Sequence, residues 1–440
     1  MSSAVTAAGF KSISKNGGEF ALLDIRKPED FQAGHLLLSV NIPVAKLSHT
    51  VRQLVPRLGT QIVLYDGETG QAGPAVTMLE KMGYGDLHIA QGDVSNWVAQ
   101  GFQMFQGTYT INNAFAVAAE RFYGTPRMTA ETLQAKLADG EDIYIIDSRP
   151  FDEFHAASIP GAHNIPVVEL IRHIEALEQD PAADIVVTCG GRARAIFGAQ
   201  SLINAGIEKP VHALYYGTMG WDLAGFPRTH GSNAVVVPDH PHNRFHHRAD
   251  NLTQRITVRT IEPEILETWL ADRDRLTDKD GRTLYLIDVR TREEFDAGHI
   301  PGSRWVPGGE LVGLTEDHMA TRNARLCLVD NDGGGDTTRA TLTASWMLQM
   351  GWSQAVVLEG GVAAWQASEL EHNEHTPEFD PAGPGNQAPS RIPPSGPLVS
   401  GAYQQIIEYR EQLPEQIEKD ASLTFRFPPI IHGGGKNEPS

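Results

Sequence analysis

The sequence has few cysteines, few basic residues and no long apolar run. Its only two cysteines, Cys189 and Cys327, allow at most one disulfide, which excludes a disulfide-rich secreted domain. The apolar runs are only a few residues long, so no membrane-spanning helix is expected. The N-terminal segment also lacks the apolar core of a secretory signal. We therefore expect a cytoplasmic protein that does not interact with membranes.

Positive charge is scarce as well. The chain has 36 Lys and Arg residues and 55 Asp and Glu residues, which gives a formal net charge of −19 at pH 7. A field of that sign repels polyanions, so nucleic acid is not an expected partner. The hydrophobic content of 41% and the charged content of 21% are those of a globular protein. A chain of 440 residues is too long for one core, so we expect several domains.

Three segments of the chain share one pattern. An apolar strand followed by Asp-x-Arg and an acidic helical stretch occurs as ALLDIRKPEDF from Ala21, YIIDSRPFDEF from Tyr144 and YLIDVRTREEF from Tyr285. A second strand and loop follow each time, as QIVLYDGETG, DIVVTCGGRARA and RLCLVDNDGGG, and then a Gly–Trp motif, as GDVSNW, GTMGW and GGVAAW. The distance from the Asp of the first element to the loop residue of the second is 42 residues in every copy. Such agreement indicates an internal repeat.

Each copy alternates short apolar strands with helical segments. This alternation predicts an α/β fold in which a central parallel sheet is covered by helices on both faces. We expect the following division: domain one at 1–122, domain two at 123–232, a polar linker at 233–256, domain three at 257–375, and a Pro/Gly-rich linker with a helix at 376–440. The final helix should end at Pro414 and dock on another domain or on a second subunit, so a homodimer remains open.

The loop of the second copy carries the features of a reactive site. Cys189 ends an apolar strand and is followed by Gly190, Gly191, Arg192, Ala193 and Arg194 at the start of a helix. Backbone N–H groups at such a strand–helix junction form a cradle for an anion, and the glycines let the loop curl. Together with two arginines, this cradle should favour the thiolate of Cys189. A structural cysteine would rarely occupy such a position.

The Asp-x-Arg strand, the GHIPG stretch from Gly298 to Gly302, the Cys loop and the Gly–Trp motif resemble rhodanese-like sulfurtransferase domains, in three copies. The resemblance implies a thiosulfate sulfurtransferase in which Cys189 forms a persulfide. The sulfur would pass from a small-molecule donor such as thiosulfate to cyanide or a thiol. Gly190 to Arg194 would bind the substrate, and no metal or organic cofactor would be needed.

Two departures from the family pattern matter. Asp66 and Asp330 stand where the second copy has Cys189, and a carboxylate cannot hold a sulfane sulfur. Domains one and three should therefore be inactive by this route. In domain two, Ala157 and Ser158 replace the Gly-His of the pattern, but this change lies away from the loop.

Two alternative functions remain open. Related dual-specificity phosphatases have an arginine six residues after the cysteine, whereas here Arg194 is five residues after Cys189 and the sixth position is Ala195. The shorter loop suits a sulfur-sized group. The chain could instead be a non-catalytic scaffold or sulfur relay, since two of its three domains lack the nucleophile.

Several weaker patterns favour structural interpretations. The acidic loop from Asp330 to Asp336 fails the EF-hand template, and Cys327 in RLCLVD reads as a buried, unreactive thiol. The Asp-x-Arg pairs recur with and without the cysteine, which predicts an ion pair or loop anchor. The connector histidines and the recurring tryptophans read as linker and core residues: His240, His242, His246 and His247, and Trp97, Trp221 and Trp365.

Overall fold

The computed structural model of the chain describes residues 3–236, 257–274, 281–330, 337–368, 400–420 and 422–428. The connector histidines and most of the acidic loop after Asp330 lie outside these residues. Within the described ranges, no helix combines the length and the apolar character needed to cross a membrane.

The first repeat forms a five-stranded parallel sheet with the strand order β1-β6-β5-β2-β4. A short antiparallel pair, β3 and β7, lies beside it. The elements are β1 (Ser3–Val5), α1 (Ala7–Lys15), β2 (Phe20–Asp24), α2 (Pro28–Ala33), β3 (His35–Leu36), β4 (Ser39–Asn41), α3 (Val44–Leu54), β5 (Gln61–Tyr65), α4 (Ala72–Lys81), β6 (Leu87–Ala90), α5 (Val94–Ala99) and β7 (Met104–Phe105). Helix α6 (Thr110–Tyr123) follows and leads to the second repeat.

The second repeat forms an equivalent parallel sheet in the order β10-β9-β11-β12-β8. Its central strand β11 is a buried β-branched run, the composition that favours a strand covered on both faces. The elements are β8 (Arg127–Met128), α7 (Ala130–Ala138), β9 (Ile143–Asp147), α8 (Phe151–Ala156), β10 (His163–Asn164), the 3₁₀ helix η1 (Val167–His173), α9 (Ile174–Gln179), β11 (Asp184–Thr188), α10 (Ala193–Asn204), β12 (Val211–Leu214) and α11 (Gly217–Leu223).

The third repeat has the strand order β13-β17-β16-β14-β15, again parallel. The elements are β13 (Arg259–Ile261), α12 (Pro263–Asp274), β14 (Leu284–Asp288), α13 (Arg292–Ala297), β15 (Arg304–Trp305), α14 (Gly308–Gly313), the 3₁₀ helix η2 (Thr315–Asp317), β16 (Arg325–Val329), α15 (Thr338–Gln349), β17 (Ala355–Leu358) and α16 (Gly361–Ala367). The long helix α17 (Ser400–Asp420) comes last. The expected fold class, three α/β repeats with parallel sheets flanked by helices, is confirmed.

The Asp-x-Arg motif is a structural anchor in all three repeats, as predicted. Its buried aspartate ends β2, β9 or β14 and pairs with the arginine two residues later, at 2.5, 2.6 and 2.8 Å. Each arginine also donates a hydrogen bond to a carbonyl eight residues further on, at the end of the following helix. The motif therefore ties the first helix of each repeat to the sheet, independently of the cysteine.

Helix α6 brings the repeats together around one shared core. The ring of Phe115 on α6 lies 5.7 Å from that of Phe197 on α10 and 6.1 Å from that of Trp346 on α15. These centroid distances are typical of favourable aromatic pairs. The recurring Trp97, Trp221 and Trp365 are at most 2% exposed, which confirms their assignment to the core.

Helix α17 packs along α6 and does not end where the sequence predicted. It continues through Pro414 to Asp420, so the expected end at Pro414 is wrong. A proline inside a helix costs about 3 kcal/mol or more. Leu413 and Ile417, on either side of it, are 1% and 2% exposed within the shared core. Burial of two such side chains offsets that cost.

Candidate active site

Cys189 lies at the carboxyl end of β11, in the short loop that leads into α10. This end of a parallel sheet is where open α/β folds place their ligands. Backbone hydrogen bonds from the start of α11 hold this loop in place. The Thr218 N–H donates to the Cys189 carbonyl at 2.7 Å, and the Met219 N–H donates to the Gly190 carbonyl at 3.3 Å. The loop backbone is therefore fixed by the first turn of α11.

Gly217, the glycine of the Gly–Trp motif, is required by this contact. Its φ is +54°, in the left-handed region, and a Cβ added there would lie 2.1 Å from the Cys189 carbonyl oxygen. A side chain at this position would push the loop away. The glycine of the repeated Gly–Trp motif thus allows the start of α11 to approach the loop that carries Cys189.

The Cys189 thiol is 1% exposed and sits in a polar cradle. Its sulfur accepts hydrogen bonds from the backbone N–H groups of Gly191 and Ala195, and Arg194 places positive charge nearby. Burial nevertheless has the largest effect and raises the pKa of the thiol, with Arg194 and the two amides opposing it. The loop amides and Arg194 therefore favour the thiolate as expected, but burial outweighs them. The sequence shows the cradle but not how deeply it is buried.

The equivalent loops of the other repeats hold a carboxylate in the same cradle. Asp66 accepts hydrogen bonds at 2.9 Å from the N–H groups two and six residues later, those of Glu68 and Ala72. Gly191 and Ala195 stand at these same two offsets from Cys189. In the third repeat, whose loop is four residues longer, Asp330 accepts from the Ala340 N–H at 3.1 Å. The cradle therefore holds a carboxylate in the first and third repeats and the Cys189 sulfur in the second.

Arg194 lies next to the thiol but is not free. Its guanidinium makes two parallel hydrogen bonds of 2.9 Å to the carboxylate of Glu153 on α8. This bidentate geometry fixes the side chain beside the loop. Gly313 of α14 also lies against it, since a Cβ added there would be 3.5 Å from Arg194 Cγ. The third repeat thus forms part of the wall behind Arg194.

Arg192 has a different role from the one expected. Its buried guanidinium pairs with Glu120 on α6 and with Glu411 on α17, and it donates to the Tyr216 hydroxyl at 3.0 Å. The sequence predicted that both loop arginines add positive charge beside the sulfur, and the structure shows that each of them is paired with carboxylates. Their carboxylate partners come from distant parts of the chain. Of the other loop residues, Ala193 begins α10, and the Gly190 carbonyl is bound by α11.

The loop of the third repeat is closed by an ion-pair cluster. Arg339 pairs with Asp330 at 2.7 Å, with Glu294 at 2.8 Å and with Glu169 of the second repeat at 3.0 Å. Although burial favours the neutral acid, the hydrogen bonds and charge of Arg339 lower the pKa of Glu294 to about 2. The cradle of this repeat is filled by its own side chains.

Sequence reasoning missed one cation near the thiol, Arg410 of α17. Its Nη1 lies 3.3 Å from the position that a Cβ of Gly191 would occupy. Nothing in the local sequence connects EYREQ with the Cys loop. Only the path of α17 across the second repeat brings them together.

The second cysteine, Cys327, has none of these features. It lies in β16, is fully buried, and burial raises the pKa of its thiol. This confirms its interpretation as an unreactive core residue. Among the described residues, no group of three or more His, Cys, Asp or Glu side chains is placed to hold a metal ion.

Comparison with known proteins agrees with these observations. A family model described as "Rhodanese-like domain" matches residues 6–100, 129–224 and 269–368. A thiosulfate sulfurtransferase from Pseudomonas aeruginosa has a similar structure, with a TM-score of 0.80 and 28% identity over 97% of this chain and 100% of that one.

The curated relatives match shorter stretches. An HTH-type transcriptional regulator of Mycobacterium tuberculosis is 34% identical over 27% of this chain, and the match spans 51% of the regulator. A probable adenylyltransferase/sulfurtransferase of the same species is 32% identical over 27% of this chain and 27% of its own. The thiosulfate sulfurtransferase of Escherichia coli is 30% identical over 16% of this chain and 67% of its own. The chain thus spans about half or less of the first two of these relatives.

Proposed function

Because this chain belongs to the rhodanese-like domain family, we propose that it transfers a sulfane sulfur from a donor such as thiosulfate to a thiophilic acceptor through a Cys189 persulfide. The observation that carries the proposal is the shared cradle. The first repeat binds the carboxylate of Asp66 with two backbone amides and the third binds that of Asp330 with one, and the second repeat presents the Cys189 sulfur to the two amides equivalent to those of the first. A cradle that binds anions suits a sulfur that becomes an anion during turnover.

The reaction divides into two displacements. In the first, Cys189 loses its proton to the solvent, and its sulfur attacks the outer sulfur of the donor. A new S–S bond forms, the S–S bond of thiosulfate breaks, and sulfite leaves with the electron pair. In the second, cyanide or a thiolate attacks the outer sulfur of the persulfide, and the bonding pair returns to Cys189. No net oxidation of the protein occurs.

The surrounding residues suit these steps. The N–H groups of Gly191 and Ala195 and the charge of Arg194 stabilise the anionic sulfur. Glu153 holds Arg194 in place, and α11 holds the loop. Since these groups are already ordered, little reorganisation is needed when charge develops on the sulfur.

Mass spectrometry of the purified protein tests this proposal. After incubation with thiosulfate, one additional sulfur atom should appear on the wild type and on the matched Cys327→Ala variant, and none on Cys189→Ser. Cyanide should then remove the sulfur and yield thiocyanate. Sulfur loading that survives in Cys189→Ser, or a wild type that takes up no sulfur, would contradict the proposal. Turnover of an aryl phosphate that depends on Cys189 would instead favour a phosphatase.

A further inference from the structure

Helix α17 crosses the second repeat directly beside the Cys189 loop. The Ile407 carbonyl accepts a hydrogen bond of 3.2 Å from the Tyr216 hydroxyl, and the Ile407 side chain packs against Tyr216 and Met219. One turn later, Glu411 accepts hydrogen bonds from Arg192 and, at 3.1 Å, from Tyr215. These contacts fix the helix, and with it the residue between them, Arg410.

The Arg410 side chain lies against the loop. Its Nη1 is 3.3 Å from the place of an added Gly191 Cβ, and the Gly191 N–H is one of the two amides that bind the Cys189 sulfur. Gly190, Gly191 and Arg410 are all partly exposed, whereas Cys189 itself is buried. A molecule that approaches the sulfur over these glycines therefore meets the Arg410 guanidinium.

The charge balance sets Arg410 apart from the other arginines of the site. Arg194 is paired with Glu153, and Arg192 with Glu120 and Glu411. Within the described part of the chain, Arg410 forms no ion pair, although it lies close enough to Cys189 and Arg192 for their charges to interact with its own. Burial also lowers the pKa of Arg410. A partly buried cation without a carboxylate is a place where an anion gains free energy by binding.

We propose that Arg410 is the residue that binds the charged end of an anionic sulfur donor and thereby selects anionic donors over neutral ones. This inference rests on the sulfur transfer proposed above. A guanidinium can bind two oxygens of a sulfonate-like group at once, so Arg410 would hold those oxygens while the outer sulfur faces Cys189. After the S–S bond of the donor breaks, the same contact stabilises the departing sulfite. Helix α17 thus completes the active site of the second repeat.

Selective alkylation of Cys189 tests Arg410 without any sulfur transfer. Iodoacetate and iodoacetamide both alkylate a thiolate with loss of iodide, but only iodoacetate is an anion. We expect the ratio of their rate constants to fall by about 3- to 10-fold in Arg410→Gln and to recover in Arg410→Lys. Lys419→Gln removes a positive charge from an exposed position of the same helix and should leave the ratio unchanged. An unchanged ratio in Arg410→Gln would overturn the assignment.

Steady-state kinetics test the same residue with donors of different charge. For the dianion thiosulfate, kcat/KM should fall roughly 10- to 100-fold in Arg410→Gln, mainly through KM. For the monoanion methanethiosulfonate, which also offers an outer sulfur, the fall should be smaller. Equal losses with both donors would show that Arg410 acts on the loop rather than on donor charge.

The two proposals fail in different ways. If the wild type takes up no sulfur but Arg410→Gln still lowers the iodoacetate ratio, the anion site stands and the sulfur transfer does not. If the wild type is sulfurated and Arg410→Gln resembles Lys419→Gln in both assays, the sulfur transfer stands and the role of Arg410 is refuted.

Discussion

At the scale of single residues, the second repeat differs from the others in what its loop amides bind. Asp66 and Asp330 place a carboxylate in the cradle, and each is held there by local hydrogen bonds or by Arg339. Cys189 carries a thiol that becomes negative only when it loses its proton. The same backbone geometry is therefore a structural carboxylate site in the first and third repeats and a reactive site in the second.

An aspartate at position 189 should restore the structural state. We expect Cys189→Asp to be more stable than Cys189→Asn by about 1–2 kcal/mol at pH 7, because two amides and Arg194 favour a charged acceptor. Urea denaturation of the two isosteric variants measures the difference. It should shrink as the pH falls toward the range in which a carboxyl group is protonated. A Cys189→Asp variant that is less stable than Cys189→Asn would show that the loop amides do not form an anion site.

Burial of the Cys189 thiol gives its reactivity a definite pH dependence. Because burial raises the pKa of the thiol, the rate of alkylation by neutral iodoacetamide should rise with pH, with a midpoint above the value of about 8.5 for a free cysteine. Removal of positive charge in Arg194→Gln should move the midpoint higher, and Arg194→Lys should move it less. Cys189→Ser provides the blank, since Cys327 is fully buried. A midpoint below that of free cysteine would contradict the inferred effect of burial.

At the scale of secondary structure elements, α17 connects parts of the chain that are far apart in sequence. The Gln106 N–H donates to the Tyr409 hydroxyl at 2.7 Å, and Arg121 on α6 pairs with Glu415 at 2.6 Å. Glu411 also forms an ion pair with Arg192. Burial favours the neutral carboxyl group of Glu411, but the charge and the hydrogen bond of Arg192 lower its pKa. The helix is therefore anchored both at the first repeat and at the active-site loop.

A substitution that weakens the packing of α17 should raise the KM for the donor more than an equally destabilising substitution elsewhere in the chain. Leu413→Ala removes a side chain that is 1% exposed and should cost about 2–5 kcal/mol of folding free energy. Because Leu413 holds α17 in the shared core, we also expect a higher KM for the donor. Leu79→Ala in α4 removes an equally buried leucine far from the loop and is the matched control. If both variants show the wild-type KM, α17 does not contribute to the donor site.

At the scale of the whole molecule, the sequence predicts each repeat well and the assembly poorly. The parallel sheets, the Asp-x-Arg anchors, the core tryptophans and the Cys189 loop follow from local patterns that occur within one repeat. The partners of the loop arginines do not, because Glu153, Glu120 and Glu411 are separated from them by 41, 72 and 219 residues. The position of Arg410 beside the Cys189 loop cannot be predicted from the sequence for the same reason. Such pairs depend on how α6 and α17 pack, which no local pattern specifies.

The packing of α6 also places an acidic side chain between the first and third repeats. The Asn112 side chain donates to the Thr315 hydroxyl at 2.9 Å, and the Tyr109 hydroxyl donates to Asp317 at 3.0 Å. Glu316, between these two contacts on η2, lines a cavity with Leu37 and Trp352. Burial, and then the neighbouring charge of Asp317, raise the pKa of Glu316 to about 8. The charge of Arg322, which lines the same cavity, opposes this increase in the pKa.

This acid should make the assembly less stable at alkaline pH. The folded pKa of about 8 lies above the unfolded value of about 4.3. The contribution of Glu316 to stability is therefore fully present below the unfolded value and is lost as the pH rises through the folded one. Glu316→Gln cannot ionise, so its Tm should exceed that of the wild type at pH 8.5 and match it near pH 5. Glu418→Gln, at an exposed position of α17, should follow the wild type at both values. A Tm difference that does not change with pH would mean that Glu316 is already ionised in the folded protein, and the junction between α6 and η2 would then have to stabilise a charge.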